Sequence, residues 1–208
     1  IAKNSESFTF SGLENLEKGK AYLFLSTHRD IVLDSALMNL VLNDNDYDTA
    51  RIAIGDNLVK EPWINDLVRL NKSFIVKRGK QGKDKVMASM QLSKYIAHSI
   101  LNDNESVWIA QREGRTKDGI DKTQPGLIKM LSIAGRKAPV EHLRQLNIVP
   151  VTISYEYNPC DALLLPELLA KSEEREYVKG PMEDLISMMK GIEGKKGRIH
   201  LSFGDPLN

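Results

Sequence analysis

A histidine and two carboxylates stand close together in residues 26–34, which read Ser-Thr-His-Arg-Asp-Ile-Val-Leu-Asp. His28 is of the type best suited to proton transfer near neutral pH, and Asp30 or Asp34 could orient its imidazole. The same residues also fit a plainer role. Thr27 and Asp30 are of the types that cap helices, and His28 would then be only a polar turn residue. Taken alone, the segment leaves both interpretations open.

This segment lies between two apolar stretches. Residues 21–25, Ala-Tyr-Leu-Phe-Leu, predict a buried strand, and residues 30–43 predict an amphipathic helix. The carboxyl end of a parallel strand is where α/β proteins usually carry their reacting groups. The position of the histidine therefore favours a functional site.

Two basic segments follow other predicted strands. Lys77 and Arg78 follow the apolar residues of the strand at 73–77, and they suit an anionic phosphate because Arg offers a bidentate fork and Lys a point charge. After the strand at 106–110 the chain carries a second set: Arg112, Glu113, Gly114 and Arg115. A solvated basic loop would have the same composition, so each segment is ambiguous by itself.

Strand-like and helix-like segments alternate along the chain. The predicted strands are 21–26, 50–54, 73–77, 106–110, 148–155 and 198–203. The predicted helices are 30–43, 62–70, 83–102, 125–135, 139–146, 161–171 and 183–192. Several strands are almost wholly apolar, as expected of strands covered on both faces. The pattern predicts an α/β layered fold with a central, mainly parallel sheet flanked by helices.

Composition limits the function classes. The 208 residues fit one domain, 1–208, and the chain begins at Ile1, so we expect a domain cut from a longer protein. The net charge of +1 and the lack of a nucleic-acid signature argue against a nucleic-acid partner. A single cysteine, Cys160, suits a reducing compartment. No apolar run approaches the roughly 20 residues of a membrane span, so we expect a soluble or peripheral protein.

Four ordered blocks of the sequence resemble those of the glycerolipid acyltransferases, a family that includes glycerol-3-phosphate and 1-acylglycerol-3-phosphate acyltransferases. The resemblance runs from about Lys20 to Ile153, and the closing residues 203–206 resemble the family's last strand and turn. The blocks are His28 to Asp34, Phe74 to Arg78, Glu113-Gly114-Arg115, and Val149-Pro150-Val151. Any one block is weak, but their order and spacing make the set fairly specific.

The resemblance implies that His28 is a general base and that a carboxylate orients it. The family has four residues between its histidine and aspartate, whereas five separate His28 from Asp34 here. Asp34 is preferred as partner because an apolar helix follows it, and Asp30 is better placed as a helix cap. The choice between them stays open. In the third block the family often has Glu-Gly-Thr-Arg, so either Arg115 or Arg112 is the expected phosphate ligand, alongside Lys77 and Arg78.

The implied reaction moves a fatty acyl group from acyl-CoA or acyl-ACP to glycerol 3-phosphate or a lysophospholipid acceptor, without a metal or other cofactor. The implied partners are the thioester donor, acyl carrier protein and a membrane surface, and the implied location is the cytoplasm, at the inner face of the cell membrane of a bacterium. Two alternatives remain: another amphiphilic acceptor, such as an amino-acid lipid or lipid A precursor, and a non-enzymatic module that binds anionic lipids.

Overall fold

A computed structural model describes residues 4–59, 62–180 and 182–207 of the chain. The expected domain at 1–208 also includes residues outside these ranges. The strands are β1 Ser5–Ser11, β2 Leu23–Ser26, β3 Arg51–Gly55, β4 Ser73–Val76, β5 Val107–Ala110, β6 Ile148–Tyr155 and β7 Gly197–Phe203. The α-helices are α1 Leu33–Asp44, α2 Pro62–Leu70, α3 Gly82–Leu101, α4 Pro125–Leu131, α5 Pro139–Gln145, α6 Asp161–Ser172 and α7 Glu183–Glu193.

The described strands form one sheet in the order β1-β7-β6-β2-β5-β3-β4. The pair β6 and β7 is antiparallel, and every other neighbouring pair is parallel. Strand β2 lies in the middle, between β5 and β6, so its carboxyl end is flanked by the carboxyl ends of both neighbours. Crevices at such positions in open sheets are where ligands bind.

Apolar side chains cover both faces of the sheet. On one face, Phe24 of β2 belongs to a buried cluster with Leu37 and Met38 of α1. On the other face, Leu23 packs in a cluster with Ile96 of α3 and Leu131 of α4. Successive residues of β2 thus point to opposite faces, as the pleat of a strand requires. The central strand is therefore packed on both of its faces.

The predicted fold class is confirmed, with two differences in the elements. Strand β1 was not predicted, because its sequence Ser-Glu-Ser-Phe-Thr-Phe-Ser is polar and mostly exposed at the edge of the sheet. The prediction that the first helix begins at residue 30 is wrong, since α1 begins at Leu33. Residues 27–32 form an irregular turn instead, and this turn carries the histidine.

Candidate active site

The first candidate pair is brought together at the carboxyl end of β2. His28 Nδ1 lies 3.1 Å from Asp34 Oδ2. The same oxygen accepts hydrogen bonds from the backbone N–H groups of Arg29, at 2.7 Å, and Asp30, at 3.0 Å. Asp34 is only 1% exposed. The turn therefore wraps its own backbone around the carboxyl group of Asp34, which can fix the imidazole with its proton on Nδ1 and leave Nε2 for chemistry.

Tyr155, at the end of β6, completes the shell around Asp34. Its hydroxyl donates to Asp34 Oδ1 at 2.9 Å. Burial and the neighbouring carboxyl groups raise the pKa of the Tyr155 phenol far above its ordinary value, so the hydroxyl remains a donor. The sequence analysis did not single out this residue. Its signal was its position, as a polar aromatic at the end of a predicted strand next to the histidine.

Asp30 does not contact the imidazole by a hydrogen bond and holds the start of α1 instead. Its Oδ1 accepts from the N–H groups of Val32, at 2.9 Å, and Leu33, at 2.8 Å. Burial raises the pKa of the Asp30 carboxyl, while these two backbone hydrogen bonds oppose the rise. Gly191 of α7 lies directly against this carboxyl, since a Cβ on it would be 2.1 Å from Oδ2. Asp30 thus links the turn to α7.

The loop after β5 is tied to the same turn by its backbone. Gln111 N–H donates to Ser26 O at 2.8 Å, and Thr116 N–H donates to His28 O at 2.9 Å. The Arg29 guanidinium forms an ion pair with Asp121 farther along this loop. The indole of Trp108, on β5, meets the His28 ring edge-on with 6.0 Å between centroids. The second candidate segment is therefore part of the histidine's surroundings.

A cleft of about 560 Å³ opens beside this loop, between the ends of β3, β4 and β5 and helices α3 and α4. Most of the predicted phosphate ligands line it: Lys77, Arg78, Arg112 and Glu113. Arg78 Nε lies 3.9 Å from Glu113 Oε1. The deeper walls are apolar and include Phe74, Leu92, Ile109, Leu127 and Met130. The cleft is therefore lined by both charged and apolar side chains.

Gly55, at the end of β3, is a second residue that sequence reasoning missed. A Cβ at this position would lie 2.4 Å from Arg78 Nε and 2.7 Å from its Cζ. The glycine thus lets the guanidinium cross the end of β3. Backbone hydrogen bonding also holds the arginine, because its N–H donates to Asp56 Oδ1 at 3.2 Å. The only sequence signal was a glycine at the end of a predicted strand.

Arg115 and Gly114 are placed differently from the other predicted ligands. Arg115 is 8% exposed, does not line the cleft, and interacts electrostatically with Asp30 and Cys160. Gly114 has a φ of +72°, a conformation that suits glycine, and it begins the turn that takes Arg115 inwards. The structure therefore separates Arg115 from Arg112, which the sequence treated as alternatives for one role.

Several buried donors around the site have no hydrogen-bond partner within the described ranges. They are Trp108 Nε1, Gln111 Nε2, Arg112 Nε and Arg115 Nη1. Buried polar groups are normally paired, and orphaned ones call for an explanation. All four are hydrogen-bond donors on β5 or the loop after it, which is the property that recognition of an anion requires. Of the four residues, Arg112 lines the cleft, whereas Arg115 lies on the other side of the turn near Asp30, so their free donors serve different places.

Residues 4–59, 62–180 and 182–207 hold no group of three or more His, Cys, Asp or Glu side chains that could bind a metal ion. Among the same residues, none of the helices combines the length and the apolar character needed to cross a bilayer.

Comparison with known proteins gives one family. A model of the acyltransferase family matches residues 7–154 of this chain. No curated protein sequence matches it. Among solved structures, the chain is similar to the 1-acyl-sn-glycerophosphate (LPA) acyltransferase PlsC from Thermotoga maritima, with 14% sequence identity and a TM-score of 0.48. The alignment covers 96% of this chain and 61% of PlsC.

Proposed function

Because the chain belongs to the acyltransferase family, we propose that it moves a fatty acyl group from an acyl thioester to a hydroxyl of glycerol 3-phosphate or 1-acylglycerol 3-phosphate. The observation that carries this proposal is the contact of half-buried His28 with buried Asp34 at the carboxyl end of the central strand. Family membership makes the chain an enzyme, so the alternative of a non-enzymatic module that binds anionic lipids is set aside.

In the proposed reaction, Nε2 of His28 takes the proton of the acceptor hydroxyl as its oxygen attacks the thioester carbonyl carbon. The tetrahedral intermediate collapses, the carbon–sulfur bond breaks, and the imidazolium returns the proton to the leaving thiolate. Asp34 stabilises the imidazolium through Nδ1, as the carboxylate does in a serine-protease triad. General base catalysis of this kind contributes about 10²–10⁴-fold in rate.

In this proposal, the basic residues bind the phosphate of the acceptor. Lys77, Arg78 and Arg112 line the cleft, and the unpaired Nε of Arg112 can donate a hydrogen bond to an anion. The apolar interior of the same cleft suits a fatty acyl chain. Arg115 would act through Asp30 or bind phosphate from the other side of the turn. Holding both substrates in the reacting orientation lowers the activation free energy, because the loss of their translational and rotational freedom is met on binding.

Acyl-CoA and acyl-ACP both present the thioester that this chemistry needs, and the mechanism requires no other cofactor. An acceptor that lies in a membrane places the enzyme at a bilayer surface, on the cytoplasmic side where acyl thioesters are made, in our proposal.

A panel of donors and acceptors tests the function. Purified protein is assayed with acyl-CoA and acyl-ACP against glycerol 3-phosphate, 1-acylglycerol 3-phosphate, an amino-acid lysolipid and a lipid A precursor. We expect release of the thiol and an acylated product with a glycerol phosphate acceptor. Transfer only to the amino-acid lysolipid or the lipid A precursor would support the alternative acceptor class and contradict the proposal.

A further inference from the structure

The start of α3 and the residues before it are exposed. Every residue from Gly79 to Met87 is exposed, although α3 begins at Gly82 and its later turns are buried against the sheet. Exposed helix turns gain little from packing, and most helical stability in proteins comes from a buried face. We call residues 77–87 the basic arm. Its conformation leaves a surface with nothing packed on it among the described residues.

The basic arm carries an unbalanced positive charge. Its sequence, Lys-Arg-Gly-Lys-Gln-Gly-Lys-Asp-Lys-Val-Met, has five cations and one carboxylate. Arg78 has an ion pair with Glu113, whereas the side chains of the four lysines form no hydrogen bond or ion pair with another described residue. A chain whose net charge is only +1 therefore concentrates free positive charge in one short segment.

Two apolar side chains stand among these charges. Val86 is 58% exposed and Met87 is 67% exposed. With Lys83 they occupy positions i, i+3 and i+4, which share one face of a helix. Lys85, Ala88, Ser89 and Leu92 line the cleft instead. The arm thus has one face that borders the substrate cleft and another that presents apolar groups beside a lysine.

We propose that the basic arm docks on an anionic lipid bilayer, with Lys80, Lys83 and Lys85 at the headgroups and Val86 and Met87 in the interface. Charge complementarity selects the partner: cations on flexible stems are attracted to anionic headgroups without needing a shaped counterpart. The apolar groups project outwards and do not line a groove, as in helices that lie in a membrane interface. Lys80 and Lys85 belong to the arm and also line the cleft. Docking of the arm therefore holds the cleft at the lipid surface.

This inference rests on the proposed function, because a lipid acceptor or product gives the cleft a reason to face a bilayer. The test uses the double variant Lys83→Glu/Val86→Glu. Neither Lys83 nor Val86 lines the cleft. The matched control is Lys137→Glu/Val140→Glu, the same residue types at the same spacing on an exposed site before and within α5, where Val140 is 60% exposed. Circular dichroism establishes that each variant folds, and Lys83→Gln/Val86→Gln replaces the first variant if it does not.

Sedimentation with vesicles is compared for phosphatidylglycerol–phosphatidylcholine mixtures and for pure phosphatidylcholine. We expect the wild type and the control to bind the anionic vesicles and the arm variant to bind them at least about tenfold more weakly, since each cation near such a surface is worth roughly a fivefold change. Turnover of a short-chain acyl-CoA with glycerol 3-phosphate, measured without vesicles, should stay within about twofold of wild type for both variants.

Equal binding of the arm variant and the wild type to anionic vesicles would overturn the proposal. So would equal binding of the wild type to both vesicle types. If the arm variant loses turnover only with an acyl carrier protein donor while its vesicle binding is unchanged, the arm serves an acidic protein and the proposal is wrong. Lack of turnover by the wild type on every acceptor contradicts the proposed function and leaves the vesicle result to be judged separately.

Discussion

The choice between two carboxylates is decided at the scale of single atoms. Asp34 accepts from the imidazole, whereas Asp30 accepts from two backbone N–H groups at the start of α1. An asparagine can still accept those backbone hydrogen bonds, but an amide at position 34 favours the wrong imidazole tautomer and loses the charge that stabilises imidazolium.

We therefore expect Asp34→Asn to lower kcat on the order of 10³–10⁴-fold, as the equivalent change does in a serine-protease triad. Asp30→Asn should keep kcat within a few fold of wild type. Steady-state kinetics on both variants, each checked for folding, measures the difference. A larger loss from Asp30→Asn would reverse the assignment.

Tyr155 makes a second prediction at this scale, as a residue that positions Asp34. Its hydroxyl donates a hydrogen bond to a buried carboxyl group, and hydrogen bonds to charged groups are worth about 1.5–3 kcal/mol. Tyr155→Phe keeps the ring but removes that bond. We expect kcat to fall about 10–100-fold with little change in KM.

The division of the effect between kcat and KM separates positioning from packing. Without the Tyr155 hydroxyl, Oδ1 of Asp34 loses its hydrogen-bond donor and the carboxylate is less firmly aimed at the imidazole, so kcat falls while KM is kept. The matched control is Tyr157→Phe, two residues along, whose exposed ring faces Lys195. An unchanged kcat in Tyr155→Phe, or an equal loss in the control, would show that Tyr155 does not act through Asp34.

At the scale of elements, α7 is seated on the turn by a glycine. A Cβ on Gly191 would lie 2.1 Å from Asp30 Oδ2, whereas one on Gly126 in α4 would meet nothing within 4 Å. In a helix, alanine is normally favoured over glycine by about 0.5–1 kcal/mol. Overpacking costs about 1–3 kcal/mol.

The two substitutions should therefore change stability in opposite directions. We expect Gly126→Ala to raise the free energy of unfolding slightly and Gly191→Ala to lower it, as measured by urea denaturation. If Gly191→Ala stabilises the protein as much as the control does, α7 is not packed on Asp30 in the way described.

Element types were predictable from the sequence, whereas the contacts between elements were not. Apolar runs of strand length located β2 to β7, and the pair of His28 and Asp34 followed from resemblance and helix pattern. Strand β1 is polar and lies at an edge, so it has no hydrophobic signature. Tyr155 reaches Asp34 only because Ser26 of β2 is in register with Val151 of β6, and sequence alone does not give that pairing.

The phosphate ligands show the same limit. Lys77, Arg78 and Arg112 meet at one cleft because β3 lies between β4 and β5 in the sheet. Arg115 follows Arg112 closely in sequence, yet a turn at Gly114 carries it to the buried side near Asp30. Spacing along the chain could name the cations but could not divide them between two sides of the turn.

At the scale of the whole molecule, the central strand gathers the chemistry. The turn after strand β2 carries the histidine, and the neighbouring strands β5 and β6 supply the loop that follows β5 and Tyr155. Two apolar clusters, one on each face of the sheet, hold β2 in place. The cleft and the basic arm lie beyond β5, on the side of β2 opposite to Tyr155.

The most direct test of the central claim is acyl transfer by His28→Ala. The control is His98→Ala, which also faces an aspartate, with Nδ1 3.3 Å from Asp103 Oδ1, but lies on the surface with 64% of its side chain exposed. Thiol release and acylated product are measured with the glycerol phosphate acceptor that the wild type uses. Loss of turnover by about 10²-fold or more in His28→Ala alone, with folding unchanged, is the predicted result. Retained turnover in the folded variant would contradict the account.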